Sequence, residues 1–301
     1  MTFLRDPGPR MQPDEFRLLR ELVNQRSGML FEDASLYIFE RRLRERVKAL
    51  QMDDFSSYYQ YLRFHPRGAE ETEEAIDSLV TNETYFFREE YQLRAFGEEV
   101  LPRLHEVAAR SRRRRLVIWS AGCSTGEEVY TLAILVLRCP LFSGWDVRVF
   151  GNDISKRVLG IARRGVYPRH SFRAMPPLYD EFFEPDASIP GGGRRVIERV
   201  RSLCQFGQFN LLERDRAAIL GRVDAIFCRN VLIYFDPASR RSVIEGFYER
   251  LQPGGYLMLG HSESLLNVST AFELAHLPSD MVYRRPIAST SLLPPRGEGQ
   301  R

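Results

Sequence analysis

A doubly wound α/β domain, preceded by a small all-α unit and interrupted by a small antiparallel β insertion, is the fold this chain predicts. Three observations predict it. Residues 12–80 space their apolar side chains at helical intervals without any alternating run. Residues 116–165 run twice through a short apolar strand, a turn and a helix, and residues 223–263 take up the same order again. Between them, residues 166–207 contain no clean crossover helix.

In the helical unit, DEFRLLRELVNQRSG gathers Phe16, Leu18, Leu19, Leu22 and Val23 and stops near Gly28. LYIFERRLRERVKAL aligns Leu36, Phe39, Leu43, Val47 and Leu50 on one stripe, with charge around the rest. DFSSYYQYLRF and EEAIDSLVTN are two shorter helices on either side of HPRG, and a further helix is expected over roughly 89–109. Beyond the basic run Arg112–Arg115 the pattern changes. LVIWSAG and DVRVFGND read as strands, EEVYTLAILVLR and ISKRVLGIARRG as the helices that follow them. Successive units of this kind imply parallel strands with right-handed crossovers. VDAIFCRN is a later strand of the same type, ASRRSVIEGFYERLQPGG a helix closed by Gly254 and Gly255, and YLMLGHSE the next strand. Within 166–207, VIERVR and LCQFGQF read as strands of the insertion. The expected organisation is a flexible N-terminus (1–11), a helical domain (12–88), an α/β domain (89–285) and a disordered Ser-, Pro- and Gly-rich tail (286–301).

Composition sets the outer limits. The 301 residues are 44% hydrophobic and 28% charged, which describes a globular chain able to bury a core. VYTLAILVL, the longest apolar stretch, is about half of what a bilayer span needs, so no membrane insertion is expected. The N-terminal MTFLRDPGPR has no apolar signal region, and Cys123, Cys139, Cys204 and Cys228 show no CxxC spacing. A cytoplasmic protein without metal or disulfides is the expectation. A net charge of +3, with one short arginine run, gives no reason to expect nucleic acid.

Ligands of open α/β sheets bind outside the carboxyl ends of the strands. The residues there are SAGCSTGEE (120–128), Asn152 with Asp153, Cys228 to Asn230, and Gly260 to Glu263. Asp153 has two readings: a cap for the next helix, or an acceptor for the two ribose hydroxyls of an adenine nucleotide or nucleoside. The glycine turn 27–31 residues upstream supports the second. SAGCSTGEE has no GxGxxG, and its two glutamates would repel a pyrophosphate, so a nicotinamide-linked oxidoreductase is disfavoured. A ligand with a positive centre, such as the sulfonium and α-amino group of S-adenosylmethionine, suits Glu127 or Glu128; the helix dipole would accept either acid as well. His261 and Glu263 read as structural at a strand end.

Several separated motifs, in order, carry a resemblance: TNETYFFRE (81–89), SAGCSTGEE, FGQFNLL (206–212), FCRNVLIYF (227–235) and LQPGGYLMLGHSE (251–263), behind a helical N-terminal unit. Together they resemble the CheR family of chemotaxis receptor methyltransferases over roughly residues 12–285. The resemblance implies a class I (Rossmann-like) methyltransferase domain that transfers a methyl group from S-adenosylmethionine to receptor glutamates, leaving methyl esters and S-adenosylhomocysteine. It implies cofactor contacts from Asn82, Thr84, Arg88, Gly122, Glu128, Asp153, Asn210, Leu211, Arg229 and Asn230, with Arg88 and Tyr234 near the transferred methyl group. Of the adjacent acids it favours Glu128 over Glu127. Arg41, Arg42, Arg44, Arg46 and Lys48 would meet the acidic methylation helices of chemoreceptor cytoplasmic domains. Read without the resemblance, that run is a solvated helix face with a Glu40–Arg44 pair. In some family members the β insertion holds a receptor's C-terminal peptide by strand addition. A catalytically silent receptor-binding scaffold is the alternative; it predicts damage at Arg88, Asp153 or Tyr234, and the sequence has none.

Overall fold

The computed structural model describes residues 8–287. The expected flexible N-terminus lies outside the described residues up to residue 7, and the expected tail from residue 288 onward. Met11, at the other end of that N-terminal stretch, is buried, and its N–H donates to Glu40 at 2.9 Å.

Four helices form the N-terminal unit: α1 (Pro13–Ser27), α2 (Leu36–Ala49), α3 (Phe55–Phe64) and α4 (Gly68–Leu79). Glu15 caps the start of α1 by accepting from the Gln12 N–H at 2.7 Å, and Asp54 caps α3 through Ser57 N–H. Phe39, Leu43 and Val47, four residues apart on α2, are completely buried, as their spacing requires. α4 begins five residues before EEAIDSLVTN, because Gly68 sits against the last turn of α3. A Cβ there would come within 2.5 Å of the Leu62 carbonyl oxygen, so the close approach needs glycine. Arg46 turns away from solvent in this unit. It meets Glu71 with two hydrogen bonds (2.9 and 2.6 Å), and the buried Tyr58 hydroxyl donates to the same carboxylate at 2.8 Å. The Glu71 bond holds the Arg46 guanidinium above its usual pKa, and burial raises the Tyr58 phenol.

After an extended segment (80–89), one continuous helical rod leads into the second unit: α5 (Glu90–Ala95), a π turn (Phe96–Val100) and α6 (Leu101–Arg110). Then come β1 (Arg115–Ala121), α7 (Glu127–Arg138), β2 (Asp146–Asp153) and α8 (Lys156–Arg164), at the positions the sequence pattern gave them. β3 (Val166–Pro168), β4 (Phe183–Asp186) and β5 (Gly193–Val196) form a separate antiparallel sheet ordered β3-β5-β4. The chain continues through α9 (Glu198–Arg201), β6 (Cys204–Gln208), α10 (Arg214–Ala217), β7 (Val223–Cys228), α11 (Pro237–Arg250), β8 (Leu251–Leu259), β9 (Glu273–His276) and β10 (Met281–Arg284).

The main sheet runs β6-β2-β1-β7-β8-β10-β9. Its first five strands are parallel, and β10 is antiparallel to both β8 and β9. From β1 the chain winds outward to β2 and β6, then returns to β7 and β8 on the other side, so the strand order reverses between β1 and β7. Side chains of β1 alternate between two cores. Leu116 and Ile118 join α7 and the helical rod on one face, while Val117, Trp119 and Ala121 join α11 on the other.

Two strand readings are corrected. VIERVR is not a strand of the insertion: Val196 and Val200, four residues apart, are both completely buried, and the chain turns into α9 between them. LCQFGQF belongs to the main sheet, paired with β2 from Val149↔Cys204 to Asp153↔Gln208, so the small sheet ends at Val196 and not near 207. Gly254 and Gly255 do not close a helix. α11 ends at Arg250, and LQPGG opens β8 with a register shift opposite Val223 and Ala225, where the Pro253 ring has no N–H to pair.

Removing Glu71 would strand both Arg46 and the Tyr58 hydroxyl. Glu71→Ala should destabilise the protein by about 2–4 kcal/mol, measured by denaturant unfolding.

Candidate active site

A cleft of about 220 Å³ opens where the strand order reverses, outside the carboxyl ends of β1, β2, β6 and β7. The helical unit supplies part of its wall through Ser27, Met29 and Val80. Asn82, Thr84, Arg88, Gly122, Glu128, Asp153, Asn210, Leu211, Arg229, Asn230 and Tyr234 all line it. Five segments far apart in sequence thus converge on one cavity.

The turn after β1 is shaped by close contact. Gly122 has φ +77°, and a Cβ on it would lie 2.6 Å from Val231 Cγ2. The Gly122 and Cys123 N–H groups both donate to the Asn152 carbonyl (2.9 and 2.8 Å), holding the turn over the end of β2. Asn152 is itself fixed, since its amide oxygen accepts from Trp119 Nε1 at 2.7 Å and its nitrogen donates to the Phe209 carbonyl at 3.1 Å. Asp153 is buried and accepts from two backbone N–H groups, Ser124 at 2.8 Å on one oxygen and Ser155 at 3.0 Å on the other. Burial raises its pKa above the usual aspartate value, against the lowering effect of those bonds.

The adjacent glutamates separate in space. Glu127 is buried and faces the β insertion, accepting from Thr125 Oγ1 at 2.6 Å and Ser171 Oγ at 3.0 Å; burial raises its pKa. Glu128 lines the cleft. It accepts from Ser120 Oγ at 2.7 Å and pairs with Arg229 at 3.0 Å. Arg229, its side chain 3% exposed, lies between Glu128 and Glu89, the latter at 3.1 Å. Its own Nε has no partner.

TNETYFFRE wraps the other side. Phe86 is buried among Tyr167, Phe172 and Phe183, and the Phe87 N–H donates to Thr131. Between these anchors and α5, Phe87 and Glu89 both take left-handed backbone conformations (φ +60° and +59°), which turn Arg88 toward the cleft. Arg88 donates to the Glu83 carbonyl at 3.0 Å and lies 5.8 Å from the Tyr85 ring centre. Opposite, Tyr234 sits in a short 3₁₀ turn (Leu232–Tyr234); its carbonyl accepts from the Leu30 N–H at 2.8 Å, so the helical unit fixes its backbone. Asn210 spends its side chain on structure, donating to the Arg26 carbonyl and accepting from the Leu212 N–H.

Buried polar atoms without partners concentrate here: Asn82 Oδ1, Asn230 Oδ1 and Arg229 Nε are three of the seven such atoms among the described residues. Native proteins rarely leave such groups unmet, and all three belong to residues that line the cleft. Glu128 and Asp153 add carboxylates. This set fits a ligand that carries an ammonium, hydroxyls and a carboxylate together.

The basic helix behaves differently from expectation. Arg42 donates to the Leu79 carbonyl and to Thr81, Arg44 pairs with Glu40, and Arg46 is held by Glu71. Arg41 and Lys48 remain exposed. Fixing Arg42 and Arg46 anchors α4 to α2, which is a structural use of charges the sequence assigns to recognition.

Sequence reasoning missed Ser27 and Met29, which carry no local signal because only tertiary packing brings them to the cleft, and the pairing of Glu89 with Arg229. Glu263, read from the sequence as structural at a strand end, has that role. That carboxylate accepts from the N–H groups of Asn230 (2.8 Å), Val231 (3.0 Å), Ile233 (3.3 Å) and Gly260 (2.8 Å), and so folds the loop after β7. Glu263→Ala should cost about 1–3 kcal/mol of stability and weaken ligand binding in the cleft, read by denaturant unfolding and calorimetry.

Comparison with known proteins accounts for this arrangement. Residues 82–281 match the CheR methyltransferase SAM-binding domain and residues 14–80 the CheR methyltransferase all-alpha domain. Chemotaxis protein methyltransferase 2 of Vibrio cholerae is 37% identical over 275 residues, covering 90% of this chain and 93% of that protein. Chemotaxis protein methyltransferase 2 of Pseudomonas aeruginosa is 36% identical, covering 85% and 88%. Chemotaxis protein methyltransferase of Salmonella typhimurium is 34% identical, covering 86% of each. Two domain matches in order, with relatives above 30% identity over most of both chains, show that the chain belongs to the CheR methyltransferase family.

Proposed function

We propose that this S-adenosylmethionine-dependent methyltransferase esterifies glutamate side chains in the cytoplasmic domains of chemoreceptors. The observation that carries this reading is the cleft's content: anions and unmet polar groups able to hold adenosylmethionine, with no side-chain pair arranged to remove a proton. Asp153 would receive the ribose hydroxyls, Glu128 the ammonium, and Arg229 with Asn82 and Asn230 the remaining polar groups. Gly122 and Thr84 would contribute to the wall around the ligand, and Leu211 with Asn210 would lie near the adenine.

Bound adenosylmethionine supplies a methyl carbon that a carboxylate oxygen can attack, with the C–S electron pair returning to sulfur. A glutamate is ionised at neutral pH, so the attack needs no general base. The chain's own contribution is alignment and exclusion of water. Arg88 would orient the incoming carboxylate, and the Tyr234 phenol would hydrogen-bond it from the other wall. Arg41 and Lys48, on the exposed part of α2, are the cations best placed to meet acidic receptor helices. Arg44, half-buried against Glu40, would contribute less, and Arg42 and Arg46 act through the fold. The edge of the small β3-β5-β4 sheet would receive a receptor's C-terminal peptide where the receptor has one.

Incubation with labelled adenosylmethionine and receptor cytoplasmic domains tests the reading. Base-labile label on glutamate is the expected result; ligand binding without transfer to any receptor would favour the silent scaffold. Arg41→Ala with Lys48→Ala should raise the receptor KM about 3–10-fold, more at low salt, while leaving cofactor affinity unchanged.

A further inference from the structure

Asp153 is braced through each carboxylate oxygen, once from the helical unit and once from the extended segment that follows it. On one side, the Ser155 N–H donates to Oδ1 at 3.0 Å while the Ser155 hydroxyl donates to Asp77 on α4. On the other, the Ser124 N–H donates to Oδ2 at 2.8 Å while the Ser124 hydroxyl donates to the Asn82 carbonyl at 3.1 Å, three residues beyond the end of α4. Each serine uses its backbone for Asp153 and its side chain for another element, α4 for Ser155 and the segment just after it for Ser124. Ser155 is completely buried and also caps α8, accepting from the Val158 N–H at 3.2 Å. The contact is reinforced at its rim, where Lys156 meets Glu73 at 2.6 Å and Arg157 approaches Asp77 at 3.7 Å.

We infer that Asp77 is a positioning residue for the cofactor site, holding Asp153 through Ser155 so that the orientation of the helical unit sets cofactor affinity. The inference rests on the reading that Asp153 receives the ribose. A serine hydroxyl has one proton to donate; given to Asp77, it fixes the side-chain rotamer and with it the start of α8 and the N–H aimed at Asp153. A carboxylate receiving two hydroxyls must be held within a fraction of an ångström, and here the support through Ser155 leads into the helical unit at Asp77. Partner binding on α2 or α4 is thereby coupled to the cofactor, and the coupling is reciprocal.

Asp77 also places a negative charge near Asp153. The other charged and titratable groups around Asp153 are Arg157 against Asp77, the buried Cys123 of the β1 turn, and Glu128 across the cleft; β6 contributes the neutral Gln208. Like charge and burial both favour the protonated Asp153, so its ionisation, and with it ribose binding, is lost as pH falls through a value above the ordinary aspartate range. Removing the Asp77 charge moves that loss to lower pH.

The experiment is calorimetric titration of the full chain with S-adenosylhomocysteine between about pH 4.5 and 8, with thermal unfolding of each variant as a folding control. Asp77→Ala should weaken binding roughly tenfold at pH 8. Ser155→Ala should do the same, and the double variant should be no worse than either single one. Asp77→Asn keeps an acceptor for the Ser155 hydroxyl. It should bind within about twofold of the parent at pH 8, with the acid limb of its affinity profile shifted to lower pH. If Asp77→Ala does not fold, Asp77→Asn decides. Asp77 variants within twofold of the parent, with an unmoved acid limb and a weakened Asp153→Ala control, would overturn the inference and leave the cofactor reading standing. An unchanged affinity in Asp153→Ala would overturn both.

Discussion

The cleft depends on one close contact. The turn after β1 and the loop after β7 meet at Gly122 and Val231, across the gap where the strand order reverses. A side chain at Gly122 would collide with Val231 and also has no favourable conformation at φ +77°. Because the contact holds, the Gly122 and Cys123 N–H groups reach the Asn152 carbonyl, and the Ser124 N–H reaches Asp153. Glu263 secures the other partner of the contact by gathering the N–H groups around Val231. The first loop is held by hydrogen bonds to the end of β2 and the second by the Glu263 carboxylate, so the protein itself shapes the cavity walls.

Charge inside the cleft follows from the same geometry. Arg229 is too buried to stand unpaired, and Glu89 and Glu128 flank it. Along the cleft lining, Glu83, Glu128 and an ionised Asp153 outnumber Arg88 and Arg229 by one negative charge. A ligand with a positive centre can therefore enter an anionic pocket whose anions are already braced. A chain of near-neutral total charge can do this because burial, not net charge, decides how strongly such groups act.

Most of the fold was legible in the sequence where local pattern and tertiary role agree. The stripe on α2, the strand and helix from Leu116 to Arg138, and β2 with its terminal Asp153 fall where periodicity sets them. The errors have a shared physical cause. VIERVR, LCQFGQF and LQPGG are short pieces whose state is decided by neighbours: Val200 by the core beneath it, Cys204–Gln208 by the open edge of β2, and Gly254 by a register shift beside a proline. Strand-end residues of the cleft were legible because topology dictates where strands end. Ser27 and Met29 were not, since they reach the cleft only through the antiparallel bridge between Met29 and Phe235 and the tie from Asp236 to Gly28. For Arg42 and Arg46 the sequence shows a charge pattern but not the partners that neutralise it.

The two units that sequence composition separates are one device at the site. Tyr234 hangs from Leu30, Asn210 from Arg26, and Asp153 through its two serines from Asp77 and Asn82. These four partners lie at or just beyond the ends of α1 and α4, where helices leave carbonyls or side chains free to bond outward. The cofactor wall is thus built from the termini of the very helices whose exposed neighbour, α2, presents Arg41 and Lys48. A rigid rotation of the helical unit by even a few degrees would move Tyr234, Asn210 and the Asp153 supports together.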